Sequence, residues 1–204
     1  MRRGSRKSTP RVIKGVVQKK NNWDYSPDYY YKALEPHMVT IDRKRPGVGH
    51  RHLLTVADVR NFLAMLPDWN NLAVGLNAVV LAPGSGYYDG YYRTGVVHVC
   101  AWEADLWTET DGNFYKEHRA LFERLGVKIE PLPGSSGDVL CKWEEYQARA
   151  YQLLHILLHE LGHHHDRITT RRQKRAARGE PYAEAYALEH EARIWDDYQR
   201  VFGF

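Results

Sequence analysis

Residues 143–168 read WEEYQARAYQLLHILLHELGHHHDRI, and this stretch decides the interpretation of the whole chain. Apolar side chains cover much of the circumference of the helix that it predicts: Leu153, Leu154, Ile156, Leu157, Leu158 and Leu161. A helix of this kind is expected to be buried in a protein core. Burial of charged groups is costly unless they are paired or bind a metal, so the histidines and acids in the same helix need a functional explanation.

His159 and His163 are four residues apart, so their side chains leave a helix on the same face, one turn from each other. At this spacing two imidazole nitrogens can bind one zinc ion at about 2.0–2.1 Å. Glu160 projects beside the pair, where it can act as a general base on a water without being a ligand. The pattern is HExxH, which predicts two zinc ligands and a base. His155, His164 and His165 are expected to be packing or surface residues, and His155 is the nearest of them to the site.

A catalytic zinc site needs a third protein ligand and an open position for water. The candidates all follow the helix: Glu180, Glu184, Glu189, His190 and Glu191. Pro181 suits the first turn of a helix, which places Glu180 at the helix start, and Glu184 lies one turn later on the same face. Glu184, inside the helix, is geometrically better placed than Glu180 to be the third ligand, but both remain candidates.

The stretch HELGHHHD (159–166) followed by EPYAEAY (180–186) resembles the gluzincin pattern, and is most similar to the anthrax lethal factor-like peptidases. The resemblance covers about residues 155–186. It implies a small zincin domain in which His159, His163 and Glu180 bind one Zn²⁺ and Glu160 is the general base. It also implies that Glu184 is an acid that orients a ligating histidine, a role that metal sites commonly require.

Three features near the site depart from this resemblance or are not assigned by it. Pro181 stands where the pattern has an aromatic residue, and Gln173 stands where the family has a catalytic tyrosine. The group that stabilises the oxyanion is therefore not identified, and the candidates for it are Tyr182, Tyr186 and His190. Asp166 either matches the trailing acid of the pattern or pairs with nearby arginines.

The order of elements, with strands first and two long helices last, predicts an α+β domain. The sheet is expected to be mixed or antiparallel, with the HExxH helix and a C-terminal glutamate-bearing helix against it. The predicted strands are 11–18, 37–41, 75–83, 94–102 and 127–132, and the predicted helices are 55–66, 114–126, 143–168 and 181–201. Two β-branched runs, GLNAVVLAP (75–83) and TGVVHVCAW (94–102), are joined by a Gly- and Tyr-rich connection and predict an antiparallel pair.

The composition limits the domain count, the metal ligands and the location of the protein. With 204 residues and 43% hydrophobic side chains, the chain can form one sizeable core. We expect a flexible basic tail over residues 1–20 and one zincin-like domain over residues 21–204.

No stretch has the roughly 18 consecutive apolar residues of a membrane span, which leads us to expect a cytoplasmic protein without membrane contact. Cys100 and Cys141 form no CxxC pair, so any metal must be held by histidines and carboxylates.

The leading functional hypothesis is a zinc metalloendopeptidase that hydrolyses peptide bonds with a zinc-activated water and Glu160 as base. A peptide or protein substrate would bind as an added strand at an exposed sheet edge, for which residues 94–102 are the candidate. The alternative is a non-catalytic metal-binding module whose basic segments, 1–20 and 171–178, bind nucleic acid or an acidic partner. A third hypothesis combines the two as a protease that acts on DNA-associated proteins. Glu160 favours a catalytic function over the non-catalytic module, because metal binding alone needs no base at this position.

Overall fold

The computed structural model describes residues 12–13, 16–17, 29–135, 137–170 and 178–203. Within these ranges the chain forms strands and helices in the predicted α+β arrangement, which is confirmed. The strands are β1 (Val12–Ile13), β2 (Val16–Val17), β3 (Thr40–Arg43), β4 (His50–Arg51), β5 (Ala78–Ala82), β6 (Gly90–Arg93), β7 (Val96–Cys100), β8 (Trp102–Glu103), β9 (Trp107–Thr110), β10 (Lys128–Pro131) and β11 (Val139–Lys142). The α-helices are α1 (Val56–Met65), α2 (Trp69–Leu72), α3 (Gly112–Arg124), α4 (Glu145–Tyr151), α5 (Leu158–Thr169) and α6 (Glu180–Phe202).

The main sheet has four strands in the order β3-β5-β7-β6. Strands β3, β5 and β7 are parallel, and β6 is antiparallel to β7. The smaller sheets are antiparallel: β10-β11-β9, β4-β8 and β1-β2. Every residue of β5 and β7 is buried, as expected for parallel strands that are covered on both faces.

The predicted antiparallel pairing of residues 75–83 with residues 94–102 is wrong, because β5 and β7 pair in parallel. The Gly- and Tyr-rich connection is not a simple turn, since it contains the strand β6. Arg93 pairs with Val96, so β6 and β7 form a hairpin around Thr94 and Gly95, and β7 inserts between β5 and β6. The parallel pairing follows, because the chain crosses from β5 to the far side of β7 before it returns.

This order also corrects the strand that was expected to form the sheet edge. Residues 94–102 include β7, which lies between β5 and β6 and has no free edge. In the part of the chain that the structure describes, β6 is the strand at that edge of the main sheet, next to the helix that carries HExxH. An added peptide strand would therefore pair with β6 and not with β7.

The helix ends follow the predicted caps. The Thr55 hydroxyl accepts a hydrogen bond from the Asp58 N–H, and the Asp58 carboxylate accepts one from the Thr55 N–H. This reciprocal pair is a capping box, and it starts α1. Helix α3 ends at Arg124, and Gly126 takes the left-handed backbone conformation, with φ of 69°, that closes a helix.

The predicted helix over 143–168 forms as three successive parts. Helix α4 runs into a π-helical turn, Gln152–Leu157, and the chain then continues as α5. All six residues of the π turn are buried, and the turn packs on β7, while α5 packs on β6, β7 and α6. Helix α6 confirms the second long helix predicted for 181–201. No helix among the described residues is long and apolar enough to span a membrane.

Candidate metal centre

His159 and His163 lie on one face of α5, with their ring centroids 4.9 Å apart. The carboxylate of Glu180, the first residue of α6, reaches both rings. Its Oε2 lies 3.1 Å from His159 Nε2, and its Oε1 lies 3.4 Å from His163 Nε2. One ligand atom from each of the three side chains lies within 4.8 Å of the other two. The structure thus brings together the two histidines of HExxH and one of the two glutamates that the sequence left open.

The donor set and its spacing fit a zinc ion. Ligands at about 2.0–2.1 Å in a tetrahedral site are separated from each other by roughly 3.3–3.4 Å. The observed distances of 3.1 and 3.4 Å between nitrogen and oxygen are close to this value. Two imidazole nitrogens and one carboxylate oxygen are also the ligand types that zinc accepts. The His163 side chain is fully buried, and the His159 side chain is 13% exposed, so the cluster is enclosed on one side and accessible on the other.

Glu184 lies one turn after Glu180 and occupies a different place. Its Oε2 accepts a hydrogen bond from His159 Nδ1 at 3.1 Å, and its Oε1 lies 2.7 Å from His118 Nε2. Burial by itself raises the pKa of Glu184, but the hydrogen bonds from His118 and His159 outweigh it and hold the pKa well below its usual range. A carboxylate at Nδ1 fixes the His159 tautomer that leaves Nε2 available towards Glu180. The two glutamates therefore differ in position, although both are candidates for the third zinc ligand on sequence grounds.

The start of α6 is held in place by Asp166, which is fully buried at the C-terminal half of α5. Its Oδ2 accepts a hydrogen bond from the Gly179 N–H at 3.0 Å, and its Oδ1 accepts one from Arg178 Nε at 2.9 Å. Burial raises the pKa of Asp166, but these hydrogen bonds outweigh it and lower the pKa overall. Asp166 thus pairs with an arginine, one of the two roles considered for it, and it also fixes the backbone next to Glu180.

Gly162 allows α6 to approach α5 closely. A Cβ atom at this position would lie 2.9 Å from the Cα of Ala183 and 3.0 Å from its carbonyl oxygen. Any larger side chain would therefore push α6 away from α5. Since Gly162 lies next to His163 and Ala183 lies between Glu180 and Glu184, this contact sets the distance between the histidines and the glutamates.

Glu160 is 2% exposed and lies where β6 meets α5. A Cβ atom on Gly90, the first residue of β6, would lie 3.0 Å from Glu160 Cγ and 2.8 Å from Ile156 Cγ2. The glycine lets the backbone of the edge strand come into contact with the side chain of Glu160. The predicted base and the strand edge are therefore neighbours.

His164 and His165 have partners away from the cluster, as expected for packing residues. His164 lies between the Tyr92 hydroxyl and the Val74 carbonyl, at 3.1 Å from each. His165 Nδ1 lies 2.6 Å from the Tyr182 hydroxyl. Two of the three candidates for the oxyanion donor, Tyr182 and Tyr186, pack on His165, and His190 stacks on Tyr186. These contacts place none of the three candidates on the His159, His163 and Glu180 cluster.

His118 on α3 contacts the candidate site, and it is not identified from the sequence. It reaches the site through Glu184, and it is 2% exposed. Its Nδ1 donates a hydrogen bond to the Phe114 carbonyl at 2.8 Å. The signal in the sequence was a single histidine within a predicted amphipathic helix, which indicates no contact with residues so far along the chain.

Comparisons with protein-family models, with curated proteins and with solved structures found no match to this chain. The basic connection at 171–177 and most of the basic tail over 1–20 lie outside the described residues. The expected contact of these segments with nucleic acid or an acidic partner therefore stays a prediction.

Proposed function

We propose that this chain is a zinc-dependent metalloendopeptidase of the gluzincin type. The observation that carries the proposal is the convergence of His159, His163 and Glu180 from two helices, with Glu160 beside them. Two histidines alone would give an incomplete site. A carboxylate from a separate helix supplies the third donor and leaves room for the fourth position that a catalytic site keeps open.

In the proposed reaction His159, His163 and Glu180 would hold one zinc ion. When bound, zinc supplies Lewis-acid chemistry, which polarises a peptide carbonyl and makes a water more acidic. Glu160 accepts a proton from the attacking water as the new C–O bond forms. The same carboxyl group then delivers that proton to the amide nitrogen as the C–N bond breaks. Glu184 keeps His159 oriented throughout through the hydrogen bond at Nδ1.

The substrate in this proposal is an extended peptide that pairs with β6. An edge strand offers backbone N–H and C=O groups to a peptide, and side-chain pockets then give the specificity. The contact between Gly90 and Glu160 supports β6 as this edge, because a peptide aligned along β6 passes next to the proposed base. The antiparallel hairpin with β7 holds β6 in register with the buried part of the sheet.

The proposal is tested with the full chain loaded with zinc and a mixture of denatured proteins as substrate. We expect new N-termini, detected by mass spectrometry, with the wild type and none above background with Glu160→Gln. Glutamine keeps the shape of the side chain but cannot take the proton, so zinc content should be unchanged. Cleavage that continues at the wild-type rate in Glu160→Gln would overturn the role of this residue.

A further inference from the structure

A second group of potential metal ligands lies next to the first, on the other side of Glu184. His118, His155 and Glu184 each offer one ligand atom, and these atoms all lie within 4.8 Å of one another. The three side chains come from α3, from the π turn and from α6. The proposed peptidase reaction does not use His118 or His155 as ligands, so this cluster needs its own explanation.

His118 has the hydrogen bonding of a metal-binding histidine. Its Nδ1 donates to the Phe114 carbonyl at 2.8 Å, so Nε2 is the ring nitrogen that can bind a metal. Metal-bound histidines commonly donate their second ring N–H to a backbone carbonyl in this way. This Nε2 lies 2.7 Å from Glu184 Oε1, with which it shares a hydrogen bond. A metal ion bound by both groups would take the place of this hydrogen bond.

His155 supplies an independent observation. It is 5% exposed, and within the described part of the chain neither of its ring nitrogens has a hydrogen bond, although the ring packs on Tyr151 and His118. A ring nitrogen that makes no hydrogen bond to the protein is available to a metal ion.

The backbone around His155 is unusual as well. His155 lies inside the π-helical turn Gln152–Leu157, which interrupts the helix directly before His159. Such turns are rare and occur frequently at functional sites, because they redirect side chains that an α-helix would align. Here the turn allows His155 to face His118, with ring centroids 4.5 Å apart, while His159 faces Glu180.

Aromatic side chains surround the second cluster. Phe114 stacks on His118 with ring centroids 3.9 Å apart, and Tyr151 packs on His155 at 5.1 Å. Such a shell limits the access of water and holds the rings in place, as is usual around metal sites. The Glu184 side chain, at 30% exposure, leaves a route by which an ion can enter.

We propose that His118, His155 and Glu184 bind a second zinc ion, so that the chain holds two metals linked through Glu184 and His159. This inference goes beyond the peptidase proposal, and it does not require catalytic activity. Two nitrogen donors and one carboxylate match the ligand preference of zinc, and the negative charge of Glu184 offsets part of the repulsion between two cations. The second ion is structural in this arrangement, because it fixes Glu184 and thereby His159.

The test is zinc stoichiometry in the full-length protein, which is first freed of metal by dialysis against a chelator and then titrated with Zn²⁺ alone. We expect two equivalents per chain in the wild type. His118→Gln and His155→Gln should each bind one equivalent, and His163→Ala should also bind one, since it removes the other site. His37→Gln, at an exposed histidine, is the matched control and should bind two.

Titration with Co²⁺ in place of zinc gives a second measurement on the wild type, which does not depend on whether a variant folds. Two successive changes in the visible absorption spectrum are expected. Two equivalents retained in both His118→Gln and His155→Gln would overturn the second site, as would a folded wild type that binds no zinc. One equivalent lost in His163→Ala but kept in His118→Gln would overturn the second site and leave the peptidase proposal intact. One equivalent that is lost in His118→Gln but kept in His163→Ala would support the second site and overturn the first.

Discussion

The carboxylate of Asp166, near the end of α5, accepts a hydrogen bond of 3.0 Å from the backbone N–H of Gly179, the residue that immediately precedes Glu180. This bond connects the two helices that carry the proposed zinc ligands. Because Asp166 is fully buried and also binds Arg178, it fixes where α6 begins. The position of Glu180 relative to His159 and His163 thus depends on a residue that is not itself one of the proposed ligands.

Asp166→Asn is expected to weaken zinc binding at the first site by about 10- to 100-fold, the usual cost of losing a group that supports a ligand. The amide has one acceptor oxygen where the carboxylate has two, so one of the donors, Gly179 or Arg178, loses its partner. Competition with a fluorescent zinc chelator measures the change. Asp196→Asn, at an exposed residue of α6, is the control and should bind zinc as the wild type does. Equal affinities in the two variants would show that Asp166 does not position Glu180.

Gly162→Ala is expected to lower the free energy of unfolding by about 1–3 kcal/mol, the usual cost of overpacking a core. Helix propensity alone predicts the opposite sign, since alanine is better than glycine in a helix by about 1 kcal/mol. The contact with Ala183 decides between them, because the new Cβ would lie 2.9 Å from its Cα. Urea denaturation measures the change. Gly86→Ala has open space around the new atom and should change the stability little, and a stabilised Gly162→Ala would contradict the close contact.

Gly90→Ala tests the neighbourhood of β6 and Glu160. The added methyl group would meet Ile156 and Glu160 at 2.8 and 3.0 Å, so it must displace either the edge strand or the proposed base. We expect the rate of peptide cleavage to fall at least tenfold while the zinc content stays unchanged, because neither residue is a proposed ligand. Cleavage kinetics and metal analysis on the same sample give both values. If Gly90→Ala cleaves peptides at the wild-type rate, β6 does not take part in the reaction.

The buried ring of His164 should make the free energy of unfolding depend on pH. Burial lowers the pKa of His164 from its ordinary value of 6.5 to about 4 in the folded protein, which favours the neutral ring between Tyr92 and Val74. Because the unfolded chain binds the proton more tightly, this contribution is present in full above pH 6.5 and is lost as the pH falls towards 4. Between pH 7 and pH 5 the loss is about 2 kcal/mol.

The check is urea denaturation of the metal-free protein at pH 7 and pH 5. His164→Gln should be less stable than the wild type at pH 7 and should lose less stability on acidification. His37→Gln, which removes an exposed histidine, should keep the dependence of the wild type. If His164→Gln and the wild type lose the same free energy between the two pH values, the assigned pKa of His164 is wrong.

Local patterns in the sequence predicted the elements that depend on neighbouring residues. The capping box at Thr55 and Asp58 and the glycine stop after α3 rest on contacts within a few residues, and the structure confirms both. The spacing of His159 and His163 likewise placed their side chains on one face of a helix. Each of these features is determined by helix geometry alone.

Contacts between distant residues were not predictable in the same way. The parallel pairing of β5 and β7 depends on where the connection between them crosses, and a β-branched run does not encode its partner. The choice between Glu180 and Glu184 depends on the close approach at Gly162 and on the hydrogen bond of Asp166, which fix the rotation of α6. His118 enters through α3, and no periodicity of α5 or α6 points to it.

Glu180 is proposed to complete the site formed by His159 and His163, and the zinc content of the protein tests this role most directly. The wild type, Glu180→Ala and Glu189→Ala are purified in parallel, freed of metal, reloaded with Zn²⁺ and analysed for bound metal after gel filtration. Glu189, a further acidic residue of the same helix, serves as the control. We predict one equivalent fewer in Glu180→Ala than in the wild type, and no change in Glu189→Ala. A zinc content in Glu180→Ala equal to that of the wild type would contradict the account.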